Sequence, residues 1–138
     1  MRIMAFDYGT KRIGIAVTDP LKLIATALDT IHPNAIIQYL KDYLTREQVE
    51  AFVVGMPKQM DGSDSQSAMH IRGFIRLLKK TFPSIQIHTI DERFTSKIAS
   101  ATIAQSGLKR SKRQEKSLVD SVSAVIILQS FMESSLFK

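Results

Sequence analysis

Residues 7–16 read Asp7-Tyr8-Gly9-Thr10-Lys11-Arg12-Ile13-Gly14-Ile15-Ala16 and connect two apolar runs. Apolar runs separated by a short segment with Gly and Lys are typical of a β-hairpin. Asp7 follows Ile3 and Ala5 at the two-residue period of a strand, so the three side chains share one face of the sheet. A carboxylate at such a position is costly to bury unless a cation or hydrogen bonds compensate its charge. The stretch therefore predicts a sheet with an acidic position at the end of its first strand.

The composition is typical of a globular protein. The chain has 138 residues, of which 44% are hydrophobic and 23% are charged, and this is enough for one domain, residues 1–138, with a core of its own. Cysteine is absent, which excludes disulfides and thiolate metal sites. No apolar run is long enough to span a membrane, and the first residues lack the apolar core of a signal peptide. We therefore expect a cytoplasmic protein with no membrane partner.

Basic residues outnumber acidic ones by 19 to 13, which gives a net charge of +6. This excess favours a polyanionic partner, nucleic acid first, although an indifferent basic surface has the same composition. Lys11 and Arg12 lie beside the first acidic position, whereas Lys79 and Lys80 are expected to form a solvated helix face. The distribution favours nucleic acid, because five cations lie within eight residues: Lys109, Arg110, Lys112, Arg113 and Lys116.

Apolar periodicity predicts three opening strands followed by alternating helices and strands. The apolar strand near residues 51–57 lacks alternation, which is typical of a central strand covered on both faces. Strand–helix–strand order from residue 25 to residue 90 implies parallel pairing with right-handed crossovers. Strands are predicted at 2–8, 12–18, 23–31, 51–57 and 85–90, and helices at 34–47, around Ala68–Leu78, at about 95–105 and at 116–134, with a basic loop at 108–115.

Acidic residues lie at the ends of three predicted elements. Asp7 ends the first strand, Asp91 and Glu92 end the fifth, and Asp120 lies one turn before the sheet-facing stripe of the last helix. If the first strand is central, the two strand ends meet at the edge where open α/β sheets bind ligands. Carboxylates that converge there need a divalent cation, and oxygen ligands suit Mg²⁺ or Mn²⁺. Two such ions about 4 Å apart activate water and stabilise the leaving oxygen in phosphodiester hydrolysis.

Each of these residues also has a purely structural interpretation. Asp7 could cap the turn of its own hairpin, and Asp91 could be an exposed residue at a strand end. Glu92 could pair with Arg93, and the helix dipole could favour Asp120 near a helix N-terminus. The conjunction of the acidic positions is what indicates a site. Three histidines are scattered along the chain and are interpreted as structural or surface residues: His32, His70 and His88.

Four motifs, in order and at the usual spacing, resemble those of the YqgF family, which is described as Holliday junction resolvases and as nucleases that process the 5′ end of pre-16S ribosomal RNA. Residues 7–16 resemble the opening motif. Gly55-Met56-Pro57 with Asp61-Gly62 resembles the second motif, usually Gly-Leu-Pro. Asp91-Glu92-Arg93-Phe94-Thr95-Ser96 resembles the Asp-Glu-Arg-Leu-Thr-Thr signature. The last predicted helix resembles that of the family at Lys116, Asp120, Ala124 and Ile127-Leu128, and it has Ser123-Ala124 where two alanines are more usual.

The resemblance implies a ribonuclease H-like α/β fold, with a five-stranded mixed sheet in the order 3-2-1-4-5 and helices on both faces. It implies metal-binding catalytic carboxylates at Asp7, Glu92 and Asp120. In related resolvases an acidic residue ends the fourth strand, where this chain has Gly55-Met56-Pro57. Asp91 or Glu92 would have to substitute, and strand alternation puts them on opposite faces, so only one reaches the metals. We choose Glu92.

The leading hypothesis is a nuclease that uses two Mg²⁺ or Mn²⁺ ions to process the 5′ end of pre-16S rRNA, on or off the ribosome, as a monomer or a weak homodimer. Phosphate contacts are expected from Lys11, Arg12, Arg93 and the 109–116 cluster. The first alternative is a Holliday junction resolvase that acts on branched DNA. Two further classes are a non-catalytic RNA-binding module and an ATPase or phosphotransferase, since Asp7-x-Gly9-Thr10 also resembles the phosphate loop of actin-like ATPases.

Overall fold

The computed structural model describes residues 1–56, 68–91 and 116–133, and it shows one five-stranded mixed sheet with helices on both faces. The strands follow the order β3-β2-β1-β4-β5, which confirms the predicted order and places β1 at the centre. The strands are β1 Arg2–Tyr8, β2 Ile13–Thr18, β3 Ala25–Ile31, β4 Val49–Met56 and β5 Gln86–Asp91. The helices are α1 Ile36–Leu44, α2 Ala68–Thr81 and α3 Lys116–Glu133, and a 3-10 turn at Pro33–Ala35 precedes α1.

The central strand β1 is where two pairing modes meet. It pairs with β2 in antiparallel and with β4 in parallel orientation, and β4 pairs with β5 in parallel. The carboxyl ends of β1, β4 and β5 therefore lie at one edge of the sheet, which we call the carboxyl edge. The predicted meeting of the first and fifth strand ends at one edge is confirmed.

The two faces of the sheet are packed with side chains of different size. On the face covered by α1 and α2, the ring of Phe6 meets those of Phe52 and Phe74 edge to face, with centroids 5.3 Å and 5.4 Å apart. The face covered by α3 is lined mostly by small residues, and α3 itself presents an alanine to it. This second cluster consists of Ile3, Ala5, Ala16, Ala51, Val53, Ala124, Ile127, Leu128 and Phe131. The predicted apolar stripe of the last helix is thus confirmed.

The third strand begins at Ala25 rather than at the predicted residue 23. The carboxylate of Asp19 accepts hydrogen bonds from the backbone N–H groups of Leu23 and Ile24, at 2.7 and 2.9 Å, and Lys22 adopts a left-handed φ of 61°. These bonds, the one from Ile24 foremost, lower the pKa of Asp19 below its usual value. The bonds hold residues 19–24 as a turn, so the apolar Leu23 and Ile24 are 70% and 66% exposed instead of entering the sheet.

The first helix is shorter than the predicted 34–47 and its buried face is turned slightly. The 3-10 turn occupies its expected start, where Nδ1 of His32 accepts a hydrogen bond from the N–H of Asn34. The buried positions are Ile36, Leu40 and Tyr43, whereas the predicted stripe was centred on Ile37, Leu40 and Leu44. The predicted helix at about 95–105 and the basic loop at 108–115 lie outside the described residues. In the described part of the chain, no helix has the length and apolarity needed to cross a bilayer.

Side chains at the amino edge, opposite the carboxyl edge, tie β1 to its neighbours. The guanidinium of Arg2 donates to the carbonyl oxygen of Thr18 at 2.8 Å and to the carboxylate of Glu47 at 3.2 Å. The hydroxyl of Thr18, fully buried, accepts a hydrogen bond of 2.9 Å from the N–H of Ile3. This edge is therefore closed by hydrogen bonds and ion pairs.

Two buried hydroxyl groups allow a matched test of these interactions. Thr18→Val removes the acceptor of a buried N–H and is expected to lower the free energy of unfolding by about 1–3 kcal/mol. The hydroxyl of Ser123 is also buried but has no hydrogen-bond partner among the residues described, so Ser123→Ala is expected not to lower it. Urea unfolding followed by circular dichroism measures both, and equal losses would contradict the assignment.

Candidate active site

Asp7 lies at the carboxyl edge, on the face of the sheet that α3 covers. Ile3 and Ala5, at the same strand parity, belong to the cluster on that face. The residues on either side of Asp7 face the other way, where the ring of Phe74 in α2 packs 5.4 Å from that of Phe6 and 4.9 Å from that of Tyr8. Asp7 itself is half-buried. The prediction that Asp7 shares a face with Ile3 and Ala5 is confirmed.

Glycines flank Asp7 on both neighbouring strands. Gly14 of β2 pairs directly with Asp7, and on β4 the pairing of Phe6 with Val54 makes Gly55 the next position beside it. Both glycines are buried and lie at the strand parity of the α3 face. No side chain from either position can therefore occupy the space beside the carboxylate. We call Gly14 and Gly55, one on each side of Asp7, the glycine row. The sequence alone did not predict it, because it becomes visible only when the register of three strands is known.

The turn after Asp7 is closed by its own backbone. The N–H of Gly9 donates to the carbonyl oxygen of Arg12 at 2.8 Å. A Cβ atom at Gly9 would lie 2.7 Å from that oxygen, which is too close for any other residue without a shift of the turn. The turn therefore ends β1 immediately beyond Asp7 and places Lys11, exposed, and Arg12, half-buried, at the carboxyl edge.

The direction of α3 carries its first turns, which contain Asp120, toward the carboxyl edge. Phe131 and Ile3 line the same small cavity near the amino edge. Asp120 precedes Phe131 by eleven residues, a helical rise of roughly 16 Å. Asp7 follows Ile3 by four strand residues, roughly 13 Å. Asp120 has the helical spacing of Ala124 and Phe131, so its backbone position lies on the sheet-facing stripe of α3, in the half of the helix that is directed toward the carboxyl edge.

The end of β5 is oriented by two contacts with α3. The imidazole of His88 stacks on the ring of Phe131, with centroids 5.0 Å apart, and Ile90 packs against the cluster on the α3 face. Even-numbered positions of β5 therefore lie on the α3 face, while Asp91, the last residue of β5, occupies the other parity. Glu92 lies outside the described residues.

Ser123 places a hydroxyl group inside this layer, one turn after Asp120. It is 1% exposed, and within the described ranges its oxygen has no hydrogen-bond partner. The flank of α3 that carries Gln129 and Met132 lines a cavity with the first residues of β3, and Ser123 lies on the other flank of the helix. Buried hydroxyl groups rarely lack a partner, and an ion or ordered water commonly supplies it. The oxygen groups of this layer fit a hard divalent cation such as Mg²⁺ or Mn²⁺.

Several predicted site residues are not tested by the described part of the chain. In that part no three His, Asp or Glu residues form a metal-binding group, but Glu92 is outside it and the side chain of Asp120 is not described. The carboxylate set therefore stays a prediction. Lys116 is the first residue of α3. The remaining predicted phosphate contacts lie outside the described residues: Arg93, Lys109, Arg110, Lys112 and Arg113.

The sequence as a whole matches a known family. The family model described as "RuvX: Holliday junction resolvase" matches residues 1–134. The chain belongs to this family. Two relatives, both named "Putative pre-16S rRNA nuclease", come from Porphyromonas gingivalis and Christiangramia forsetii and are each 50% identical, over 133 and 131 residues. The matches cover 96% and 95% of this chain and 96% and 97% of the relatives, so the predicted family is confirmed.

Solved structures share the fold of this RuvX-family chain. Fowlpox virus resolvase, solved with Holliday junction DNA, aligns with a TM-score of 0.58 at 15% identity and full coverage of both chains. RuvC of Thermus thermophilus, solved with a Holliday junction substrate, aligns with a TM-score of 0.53 at 16% identity over 96% of this chain and 94% of RuvC. These likenesses, together with the strand order, confirm the ribonuclease H-like fold.

The turn beyond Asp7 can be tested with two glycine substitutions. Gly9→Ala is expected to lower the free energy of unfolding by at least about 1 kcal/mol, because the new methyl group meets the carbonyl oxygen of Arg12. Gly73→Ala, in the middle of α2, is the control: its Cβ would lie 3.9 Å from the guanidinium of Arg76, so it is expected to raise stability by about 0.5–1 kcal/mol. Chemical unfolding measures both, and a neutral Gly9→Ala would show that the turn tolerates a side chain.

Proposed function

We propose that this RuvX-family protein is a metal-dependent endonuclease that acts on structured nucleic acid, with Asp7, Glu92 and Asp120 as its catalytic, metal-binding carboxylates. The observation that supports the proposal is the place of Asp7: it is half-buried at the end of the central strand, beside a glycine row and on the face of the sheet that α3 covers. Two Mg²⁺ or Mn²⁺ ions held there would activate the attacking water and stabilise the leaving oxygen. The half-buried carboxylate of Asp7 suits such ions, because hard divalent cations prefer oxygen ligands.

The choice of Glu92 as the second carboxylate follows from the alternation of β5. His88 and Ile90 lie on the α3 face, and one further step of two residues reaches position 92. Asp91 has the parity of Ile87, which packs on the opposite face of the sheet. Glu92 is therefore the acidic residue that the strand direction favours for the layer of Asp7.

Lys11 and Arg12 are proposed to bind substrate phosphates. Both follow Asp7 in the closed turn at the carboxyl edge, and Lys11 is exposed there. Their charges would hold the sugar–phosphate backbone beside the carboxylates, assisted by Arg93 and the 109–116 cluster. Phosphate contacts of this kind release counterions, so the affinity is expected to fall steeply as salt rises.

The first candidate substrate is the 5′ leader of pre-16S rRNA, because nearly full-length relatives at 50% identity carry that name. The protein would then act in the cytoplasm on ribosomal precursors, on or off the ribosome. The second candidate is the Holliday junction, which the description of the family favours. Symmetric cutting of a junction needs two active sites and hence a dimer, whereas trimming of a leader needs one.

Substitution of Asp7 tests the nuclease assignment. Asp7→Asn is expected to reduce Mn²⁺-dependent cleavage of a pre-16S leader RNA at least about 100-fold, because an amide is a poor metal ligand, with the circular dichroism spectrum unchanged. Asp42→Asn is the matched control: this carboxylate is exposed on α1 and accepts a hydrogen bond of 3.0 Å from the side chain of Gln38. Its cleavage rate is expected to equal that of the wild type.

The same assay includes a four-way DNA junction and a measurement of mass in solution. Leader cleavage that disappears in Asp7→Asn supports rRNA processing, and paired junction cuts by a dimer support the resolvase. Cleavage that survives in a well-folded Asp7→Asn protein would overturn the assignment. Salt-sensitive RNA binding without any cleavage by the wild type would instead indicate a non-catalytic RNA-binding module.

The second carboxylate is tested by a pair of neighbouring substitutions. Glu92→Gln is expected to lower the cleavage rate at least about 100-fold and to weaken Mn²⁺ binding, measured by calorimetry on the protein alone. Asp91→Asn, one residue earlier at the opposite strand parity, is expected to change both by less than about threefold. The reverse pattern would assign the role to Asp91.

A further inference from the structure

The outward face of α2 carries four cations, Arg72, Arg76, Lys79 and Lys80, which we call the α2 basic face. All four are exposed, while the opposite side of the helix is buried against the sheet. The helix contains no acidic residue, whereas α1 has one lysine and one aspartate and α3 has one lysine against two acidic residues. The positive charge of the described helices is thus concentrated on α2.

The spacing of these cations is unfavourable for the helix itself. Arg76 and Lys80 are four residues apart, and like charges at that spacing repel and destabilise a helix. In the described part of the chain, Arg76, Lys79 and Lys80 have no acidic partner within ion-pair distance. At the amino edge, by contrast, Arg2 and Lys22 pair with acidic residues at 3.2 and 2.7 Å. A polyanion on the α2 basic face would relieve the repulsion.

The contacts of Phe74 fix the height of this face relative to Asp7. The ring of Phe74 packs against those of Phe6 and Tyr8, the residues on either side of Asp7, so the middle of α2 lies level with Asp7. The helix follows β4 in the chain and extends over 14 residues, roughly 20 Å. The α2 basic face therefore begins near the carboxyl edge and runs down the side of the molecule opposite α3.

We propose that the α2 basic face binds the phosphate backbone of a second duplex arm of the substrate, one that leaves the active site across the carboxyl edge and runs along α2. This inference rests on the proposed nuclease function and specifies the shape of its substrate. The carboxylate layer and α2 lie on opposite faces of the sheet, and a short duplex is too stiff to follow both. A duplex nucleic acid contacts the two surfaces together only if it is branched or sharply bent at the carboxyl edge.

The test compares two variants that each remove two exposed positive charges. Arg76→Gln with Lys80→Gln changes the α2 basic face, and Lys41→Gln with Arg46→Gln changes exposed cations of α1 and the loop after it. Both pairs are made in the Asp7→Asn protein, so that binding is measured without cleavage. The probes are a branched RNA with two 15-base-pair arms and a linear 15-base-pair RNA duplex, titrated at several salt concentrations.

The double replacement Arg76→Gln with Lys80→Gln, which we call the α2 pair, is expected to lower the affinity for the branched RNA at least about tenfold. It is also expected to reduce the slope of log K against log salt by about 1–2. It is expected to change the affinity for the linear duplex less than about threefold, and the control pair is expected to change neither affinity by more than that. Equal losses on both RNAs, an unchanged affinity for the branched RNA, or a wild type with no preference for it would each overturn the inference.

The outcome is separable from the proposed function. Binding of the branched RNA needs no metal-dependent turnover, so a failure of cleavage in the wild type leaves the α2 result readable. Conversely, Asp7→Asn can abolish cleavage while the Arg76→Gln/Lys80→Gln replacement leaves the affinity for the branched RNA unchanged. In that case the nuclease function stands, and only the proposed binding of a second arm is overturned. Circular dichroism of both pairs checks that the replaced residues, all exposed, leave the fold intact.

Discussion

The close packing of α3 on the alanine-rich face of the sheet is the constraint on which the candidate site depends. Small side chains at Ala5, Ala16 and Ala51 on the sheet and at Ala124 on the helix let the two backbones approach each other. Larger residues there would push α3 outward and carry the position of Asp120 away from the end of β1, because the protein interior is close-packed and cannot absorb the extra volume. Nearer the amino edge, the ring of Phe131 in α3 packs on the imidazole of His88 in β5.

Packing on the opposite face of the sheet determines which face of β1 Asp7 occupies. Phe6 and Tyr8 insert into an aromatic cluster with Phe74, and a slip of β1 by one residue would exchange their places with Asp7. A carboxylate among these rings would lose its hydration without gaining a partner, so the register is strongly specified. The backbone-closed turn at Gly9 then ends the strand, which keeps the carboxylate at the rim, where ions and substrate have access.

Periodicity made the strands, the face of Asp7 and the buried stripe of α3 predictable, because these follow from local two- and 3.6-residue repeats. The order of the strands in the sheet was predicted from the family resemblance. The start of β3 was mispredicted because the hydrogen bonds that Asp19 makes to Leu23 and Ile24 leave no periodic signal. The glycine row beside Asp7 depends on the register between separate strands, which no single segment encodes. The hydroxyl of Ser123 was visible only as a departure from two alanines, and its burial without a described partner is a tertiary fact.

Two groups of the described cations differ in role: those that pair with acidic residues and stabilise the fold, and those on α2 that would contact a ligand. At the amino edge, Arg2 and Lys22 pair with acidic residues and connect neighbouring segments, so their charges serve the structure. On α2 the buried stripe of Ala68, Ile71, Phe74 and Leu78 accounts for the packing of the helix, and neutral outward residues would leave that stripe unchanged. The α2 basic face instead adds repulsion between residues four apart. A charge pattern that opposes the helix carrying it has no role in the packing of that helix and accords with the proposed nucleic-acid ligand.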